Sequence, residues 1–248
     1  MERRSLLKIS AAFCAAPAML QAKAKLPSVI AFGGGRFEER LLKRLPRVSR
    51  GRTALIAPYA ARDPDGALGF GRELLKNLGY RNVSALPLSG SAQEMIAEAD
   101  LILFSGGAQK RQVLTLGQVP GMHDWLRAAH SAGTVMAGGS AGAAVMSKLM
   151  ISGGTGGNAY TRSGLGFLPR VVLDQHVGER GREYRLRKVI SANRGYIGIG
   201  MDEQSGVEVS ADTAKVYATR GKSVRLVWWS GGLQERILKR GEQITLPS

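Results

Sequence analysis

Cysteine, histidine and aromatic residues are scarce in this sequence. The 248 residues include one cysteine, Cys14, three histidines and 6% aromatic residues. Beyond Cys14 the chain has no thiol nucleophile, no disulfide and no cysteine-ligated metal, and we expect neither a metal nor a cofactor. Dense basic runs with interleaved aromatic residues, which single-stranded nucleic-acid binders use, do not occur. We therefore expect no nucleic-acid partner.

Positive charge, in contrast, is in excess. Lysine and arginine total 35 against 19 acidic residues, which gives a net charge of +16. The basic residues are spread through every segment of the chain. This distribution is typical of a solvated basic surface, and the alternative is a site that binds acidic groups.

Residues 1–24 have the pattern of an export signal. Arg3 and Arg4 precede a short apolar run, and the Ala-Lys-Ala sequence at 22–24 resembles a signal-peptidase cleavage site. The paired arginines resemble a twin-arginine signal. Because the apolar run is too short to span a bilayer, we expect export to the periplasm or the medium, without stable membrane insertion. We predict that residues 25–248 form a single α/β domain.

Short apolar runs alternate with amphipathic stretches through most of the chain. Strands are predicted at 28–32, 53–58, 83–88, 100–104 and 134–138, and helices at 36–45, 64–79, 91–99 and 121–132. This alternation predicts a parallel sheet covered by helices on both faces. From about residue 197, short strand-like runs predict a β-rich C-terminal extension. The glycine-rich segment 152–164 is predicted to be a loop, either a plain connection or the rim of a site.

The stretch AGGSAGAAVM, at 137–146, places Ser140 in a G-x-S-x-G pattern. A predicted strand precedes it and a predicted helix, AAVMSKLM, follows it, which is the context of a nucleophile elbow. Small neighbours relieve the crowding at such a turn, and the start of a helix favours negative charge. The pattern indicates that Ser140 is a nucleophile, and the alternative is a tight packing turn.

A serine nucleophile requires a base and a group that orients the base. His123 and His130 lie on the predicted helix before the elbow, and we expect them to face solvent or cap the helix. His176 follows the β-branched run VVLDQ at a strand end, where open α/β sheets bind ligands, so it is the candidate base. Four carboxylates remain candidates for the orienting acid: Asp174, Glu179, Asp202 and Glu203.

A second glycine turn, SGGAQ at 105–109, also ends a predicted strand. Stabilising an oxyanion takes two backbone N–H groups that point at the developing charge. One can come from Ala141, directly after Ser140, and a glycine of the second turn can supply the other.

The sequence resembles the family of serine peptidases that contains the cyanophycinases and the aspartyl dipeptidases. The matching stretches fall in order along most of the chain: SGGAQ (105–109), GGSAGAAVM (138–146), GLGFLPRVVLDQH (164–176), ERGREYRL (179–186) and GIGMDE (198–203). The resemblance implies a flavodoxin-like α/β sheet, similar to that of the class I glutamine amidotransferases.

The resemblance also implies roles for individual residues. It makes Ser140, His176 and Glu203 a catalytic triad, with Gly107 and Ala141 as the oxyanion hole. The matching substrate-binding positions are Gln109, Asp174, Gln175, Arg180, Arg182 and Arg185. The implied activity is hydrolysis of multi-L-arginyl-poly-L-aspartate (cyanophycin) to β-Asp-Arg dipeptides, and the implied assembly is a homodimer. Three alternatives remain: a hydrolase of small Asp-containing peptides, a hydrolase of an unrelated ester or amide, and a non-catalytic binder of acidic polymers.

The sequence departs from the family pattern at two places. Ala108 stands where the family has an acid, and the loop after the elbow is shorter and contains Asn158. Both changes leave the expected triad in place and leave the substrate open.

Overall fold

The computed structural model describes residues 27–36, 39–49, 53–154 and 158–248. The predicted export signal, residues 1–24, lies outside them. Within these ranges no helix has both the length and the hydropathy that a membrane span requires.

Five parallel strands form the centre of the molecule. They are β1 (Ser28–Phe32), β2 (Thr53–Ala57), β3 (Asn82–Ala85), β4 (Leu101–Phe104) and β5 (Val135–Gly139). They lie in the order β1-β5-β4-β2-β3. Every residue of β1, β4 and β5 is buried, which explains why these strands are continuous apolar runs in the sequence. All five were predicted.

Helices cover both faces of this sheet. They are α1 (Glu39–Leu42), α2 (Leu45–Ser49), α3 (Pro64–Asn77), α4 (Ala92–Glu98), α5 (Gln109–Leu116), α6 (Met122–Ser131), α7 (Ala141–Ala144) and α8 (Glu183–Ala192), the last of which packs on a second sheet. Leu41 and Leu75, from the α1–α3 side, pack with Ile56 of the sheet. Ile96 and Leu126, from the α4–α7 side, pack against the opposite face.

Local signals place the helix ends. The Asp63 side chain accepts the N–H of Gly66 at 2.9 Å and caps α3, which begins at a proline. The single helix predicted over 36–45 is instead two short helices among the described residues. Pro46 has no N–H to continue a helix from α1, so it sits in the first turn of α2.

The remaining strands are β6 (Leu149–Gly153), β7 (Tyr160–Ser163), β8 (Val171–Gln175), β9 (Ile197–Met201), β10 (Ser205–Ser210), β11 (Thr213–Ala218), β12 (Val224–Trp229), β13 (Leu233–Leu238) and β14 (Gln243–Thr245). The predicted β-rich extension is present, and its strands join two different sheets. Strands β10, β11 and β14 add to the central sheet beside β1, and a second sheet has the order β13-β12-β9-β8.

Two predictions after the elbow were wrong. The helix expected over AAVMSKLM ends at Ala144, and the chain continues as β6 from Leu149. The glycine-rich segment 152–164 contains the end of β6 and all of β7, which pair as a hairpin, so the predicted loop is limited to the stretch between Gly153 and Tyr160, in which residues 155–157 lie outside the described part. A short apolar run fits either a helix or a buried strand, and here tertiary pairing decides for the strand.

Two ladders bring distant residues to one edge of the molecule. In the central sheet, Phe32 at the end of β1 pairs with Gly139 at the end of β5. In the second sheet, Gln175 at the end of β8 pairs with Met201 at the end of β9. The His176 N–H donates to the Gly33 carbonyl at 2.9 Å and joins the two edges.

Candidate active site

Ser140 lies on the turn between β5 and α7. Its backbone has φ 54° and ψ −117°, a strained conformation for a residue with a side chain. The glycine of the motif is required by contact, because a Cβ at Gly142 would lie 2.2 Å from the Phe104 carbonyl oxygen. The turn therefore has the geometry of a nucleophile elbow, and its glycines are there because the backbone approaches neighbouring backbone.

Ser140, His176 and Glu203 are hydrogen-bonded in that order. Ser140 Oγ lies 2.7 Å from His176 Nε2, and His176 Nδ1 lies 2.6 Å from Glu203 Oε1. The side chain of His176 is 7% exposed and that of Glu203 is 31% exposed. The other three candidate acids bond elsewhere, so the structure selects Glu203 as the carboxylate that contacts the imidazole.

The surroundings of His176 favour its neutral form. Burial lowers the pKa of His176, the hydrogen bond to Glu203 raises it, and the charges of Arg180 and Arg182 lower it, with a net decrease from 6.5. A neutral imidazole that donates Nδ1–H to Glu203 presents the lone pair of Nε2 to Ser140. This protonation state is the one that a general base requires.

The other two histidines do not behave as expected. His130 is buried, with Nδ1 3.2 Å from the Thr134 carbonyl and its ring beside Phe167. His123 is half-buried, and burial lowers its pKa. The prediction that both face solvent or cap the helix was wrong for His130, because the periodicity of α6 turns that side chain into the core.

Two of the three glycines after β1 pack directly on the catalytic side chains, Gly34 on the imidazole and Gly35 on the carboxylate. A Cβ at Gly34, which has φ 117°, would lie 2.1 Å from His176 Cε1. A Cβ at Gly35 would lie 2.6 Å from Glu203 Oε2. We did not predict from the sequence that these glycines belong to the site. Their only signal in the sequence is three consecutive glycines at the end of a predicted strand.

The SGGAQ turn lies beside the serine. A Cβ added at Gly106 would be 3.7 Å from Ser140 Cβ, and Gly107 has φ 134°, a region that glycine alone adopts readily. Ala141 is the first residue of α7, where an N–H has no partner within its helix. Neither the Gly107 N–H nor the Ala141 N–H has an acceptor among the described residues. Both are available to an oxyanion.

Two of the residues that the resemblance implied as substrate contacts bind each other instead. Asp174 and Arg185 are 0% and 2% exposed, and they form a bidentate ion pair in which Arg185 Nε is 2.8 Å from Asp174 Oδ2. Asp174 also accepts the Gln175 N–H. Both carboxylate oxygens are therefore occupied by bonds within the protein. The predicted direct contact of this pair with the substrate was wrong, and the pair instead links β8, which precedes His176, to α8.

The other implied substrate positions differ in how much they face solvent. Arg180 is exposed, and Arg182 is half-buried with Nη1 3.0 Å from the Gln175 carbonyl. Burial and the charge of Arg185 lower the pKa of Arg182 to about 10. Gln175 Oε1 is buried without a hydrogen-bond partner among the described residues. Gln109 donates from Nε2 to the Ile151 carbonyl at 3.0 Å, which ties α5 to β6.

An apolar cavity of about 100 Å³ adjoins the SGGAQ turn. Its lining residues are Ile56, Ala67, Phe70, Gly71, Leu103, Phe104, Ser105 and Gly106. Ser105 Oγ is buried and lacks a partner within the described ranges. Those ranges also hold no group of three His, Cys, Asp or Glu side chains suited to a metal ion.

The α/β sheet carries a serine on a strained elbow. This serine is hydrogen-bonded to an imidazole, which is hydrogen-bonded to a carboxylate, and this arrangement defines a serine-type hydrolase. Comparison with known families gives the particular group. Residues 29–217 match peptidase family S51, so the chain belongs to that family and is a serine-type peptidase. This confirms the resemblance found in the sequence.

Several characterised relatives are cyanophycinases. The chain is 33% identical over 185 residues to the cyanophycinase of Synechococcus elongatus, which covers 69% of this chain and 57% of that protein. It is 32% identical over 197 residues to the cyanophycinase of Geminocystis herdmanii, 72% of each. The chain therefore spans little more than half the length of the Synechococcus protein.

Solved structures share the fold. A peptidase from an acI-B1 Actinobacterium superposes with a TM-score of 0.71 at 22% identity, over 90% of this chain and 98% of that one. A putative peptidase E from Listeria monocytogenes superposes with a TM-score of 0.57 at 14% identity, over 78% and 99%. The predicted fold class, a largely parallel sheet with helices on both faces and extra C-terminal strands, is confirmed.

Proposed function

We propose that the chain is an exported serine-type exopeptidase that hydrolyses cyanophycin and releases β-Asp-Arg dipeptides. The observation that carries the proposal is the hydrogen-bonded order of Ser140, His176 and Glu203 at the joined edge of the two sheets. The similarity to two cyanophycinases supports the choice of substrate.

The geometry supports an acyl-enzyme mechanism. Ser140 Oγ attacks the scissile carbonyl carbon while its proton passes to His176 Nε2, and Glu203 stabilises the imidazolium through Nδ1–H. The N–H groups of Gly107 and Ala141 donate to the oxyanion. Collapse of the tetrahedral intermediate breaks the C–N bond, and the amine leaves with the proton from Nε2.

Deacylation repeats the sequence with water. His176 takes a proton from the water as its oxygen attacks the Ser140 ester, and the carboxylic product leaves as the proton returns to Ser140 Oγ. Gly34, which packs on the imidazole, keeps it in line for both steps, since a single ring orientation serves the base and the acid.

Each repeat of cyanophycin carries a carboxylate and a guanidinium, so the substrate needs charged partners. Arg180, exposed four residues after His176, is placed to bind a carboxylate with two parallel N–H donors. Arg182 stands closer to the protein interior and adds positive charge behind it. The Asp174–Arg185 pair links α8, which follows these arginines, to β8.

A second candidate function is hydrolysis of small Asp-containing peptides. Ala108 favours it, because this residue precedes α5 directly after Gly107 and supplies no carboxylate where the family has one. A missing carboxylate removes one partner for the guanidinium groups of the polymer. A comparison of the two substrates distinguishes the two candidate functions.

The direct test is release of β-Asp-Arg from purified cyanophycin by the wild-type protein and by Ser140→Ala. We expect release by the wild type and a loss of about 10⁴–10⁶-fold in rate in the variant. Near-normal turnover by Ser140→Ala would contradict the proposed nucleophile. Cleavage of Asp-X dipeptides without any release from the polymer would replace the first candidate with the second, and binding of the polymer without cleavage of either substrate would support a non-catalytic binder.

Export rests on the pattern of residues 1–24 and has a separate test. Changing Arg3 and Arg4 to lysine should keep the protein in the cytoplasm if a twin-arginine route carries it. Normal export of the double variant would contradict this route, and cytoplasmic retention of the wild type would contradict export itself.

A further inference from the structure

The carboxyl group that contacts His176 Nδ1 belongs to a turn between strands. Glu203 lies between β9 and β10, and the next residue, Gln204, has a left-handed backbone with φ 58°. With 31% of its side chain exposed, Glu203 is not held by packing alone. The position of its carboxylate therefore depends on what holds its backbone.

Glu179 holds that backbone. Its Oε2 accepts the Glu203 N–H at 2.9 Å, and its Oε1 accepts Nζ of Lys222 at 2.6 Å. Glu179 itself lies three residues after His176, in the turn that follows β8. It therefore connects the segment that carries the imidazole to the turn that carries the acid.

Lys222 supplies the positive charge that Glu179 contacts. The hydrogen bond to Glu179 raises the pKa of Lys222, and the negative charges of Glu179, Asp202 and Glu203 raise it further. Burial opposes ionisation of Glu179, but the bonds from Lys222 and from the Glu203 N–H lower its pKa overall. Lys222 thus favours the charged form of Glu179, which is the form that accepts both hydrogen bonds.

Asp202 fastens the same region from the other side. Its Oδ1 accepts the Gly178 N–H at 3.0 Å, and its Oδ2 accepts the N–H and Oγ of Ser223 at 3.0 and 2.9 Å. The turn before β12 is therefore fixed to the segment after His176, and it presents Lys222 to Glu179 from a fixed position.

We propose that Glu179 is a positioning residue, anchored by Lys222, that fixes the Glu203 backbone and so the carboxylate that orients His176. This inference rests on the proposed function of the site. Both Glu179 oxygens already accept hydrogen bonds from the protein, so the residue acts on the reaction through Glu203 and not through the substrate.

The test compares Glu179→Ala with Glu179→Gln. The alanine variant should lower kcat about tenfold, because the acceptor for Nδ1–H loses its fixed position, while KM stays within about twofold because substrate binding is untouched. The glutamine variant keeps an acceptor for the Glu203 N–H and should recover most of kcat. Lys222→Met, which frees Glu179 from its anchor, should fall between them.

Glu242 provides a matched control. Like Glu179, it accepts a backbone N–H, that of Lys239 at 3.0 Å, and pairs with a cationic side chain, here Arg236 at 2.9 Å, but it lies on the turn before β14. Glu242→Ala should change thermal stability without changing kcat. If Glu179→Ala matches Glu242→Ala in kcat, or raises KM with kcat unchanged, the proposal is wrong.

A second measurement needs no substrate. The proton between His176 Nδ1 and Glu203 should give a downfield proton resonance in the wild type that disappears in Glu179→Ala and returns in Glu179→Gln. A resonance unchanged in the alanine variant would overturn the positioning role even if the enzyme cleaves no peptide tested. If the wild type cleaves no substrate, or if Ser140→Ala cleaves as fast as the wild type, the proposed function is wrong. Neither result bears on the positioning role of Glu179, which the resonance tests.

Discussion

The two halves of the site are held in different ways. The central sheet supplies Ser140 and the SGGAQ turn, and backbone contacts hold both: added Cβ atoms at Gly107 and Gly142 would lie 2.0 and 2.2 Å from carbonyl oxygens. The second sheet supplies His176 from β8, and Glu203 from the turn after β9. Side-chain hydrogen bonds and ion pairs hold the segments that carry these two residues. The carboxylates of Asp174, Glu179 and Asp202 accept those bonds.

The two halves should therefore differ in their sensitivity to salt and pH. Contacts between backbone atoms depend on excluded volume, which neither salt nor pH alters. Ion pairs and charged hydrogen bonds depend on protonation and, where exposed, on ionic strength. The nucleophile and the N–H donors should therefore tolerate changes of solution conditions, whereas the imidazole and its acid should respond to them. The three-glycine segment after β1 is where the two halves meet.

Among the variants that test this difference between the two halves, Glu203→Gln should have the largest effect. The amide keeps the shape of the side chain, but it removes the charge that stabilises the imidazolium, and its NH2 group can face Nδ1 and favour the wrong tautomer. In serine proteases with a Ser-His-Asp triad, the equivalent change of the acid to its amide costs ~10⁴-fold in kcat. We expect a similar loss here, with an unchanged fold. Steady-state kinetics with circular dichroism as the fold control would check it. An unchanged turnover number would mean that Glu203 does not orient the base.

A smaller loss is expected from Gly34→Ala. The new methyl group would lie 2.1 Å from His176 Cε1, so the imidazole must move, and a displacement of about 1 Å can cost about 10²-fold in rate. Gly69→Ala is the matched control, because that glycine lies on the exposed side of α3 with no atom within 4 Å of the added Cβ. It should be slightly stabilising. Normal kcat in Gly34→Ala would show that the glycine does not set the ring position.

Asp174→Asn should act mainly on stability. Removing one charge of a buried ion pair leaves the Arg185 guanidinium uncompensated, which costs about 3–5 kcal/mol. The exposed pair of Asp124 and Arg127 is the control, and Asp124→Asn should cost at most about 1 kcal/mol. Denaturant unfolding of both variants would measure this. A rise in KM at unchanged stability would restore Asp174 as a substrate contact.

The smallest effect is a displacement of the pH profile. Because burial lowers the pKa of His176, and because the base must be neutral, the acid limb of kcat/KM should have its midpoint below 6.5. Activity is then complete at neutral pH and falls as the imidazole gains a proton at lower pH. Removing Glu203 takes away the one contact that raises this pKa most, so any residual activity should have its acid limb at still lower pH. A midpoint above 6.5 in the wild type would contradict the assigned environment.

The sequence predicts the central half of the molecule well, for a physical reason. Strands buried on both faces appear as uninterrupted apolar runs, as in SVIAF of β1 and LILF of β4. Helix ends carry local signals such as the Asp63 cap. Ser140 and His176 lie at the ends of such strands, so strand-end reasoning finds both.

The second half is less predictable because two of its strands, β12 and β13, are partly exposed, although β8 and β9 are buried. β13, LQERIL, was not predicted, since an edge strand with both faces largely solvated has no apolar alternation. Glu203 could not be separated from the three other acids without the resemblance. The packing of Gly34 on the imidazole, and the pairing of Asp174 with Arg185, join segments that only the folded chain brings together.

The central claim is that Ser140 is a nucleophile activated by His176. A serine-directed phosphonate tests it most directly, with intact-protein and peptide mass spectrometry on the wild type and Ser140→Ala. The account predicts a single adduct that maps to Ser140, absent from Ser140→Ala and formed more slowly in Glu203→Gln. An adduct on another residue, or equal labelling of wild type and Ser140→Ala, would contradict it.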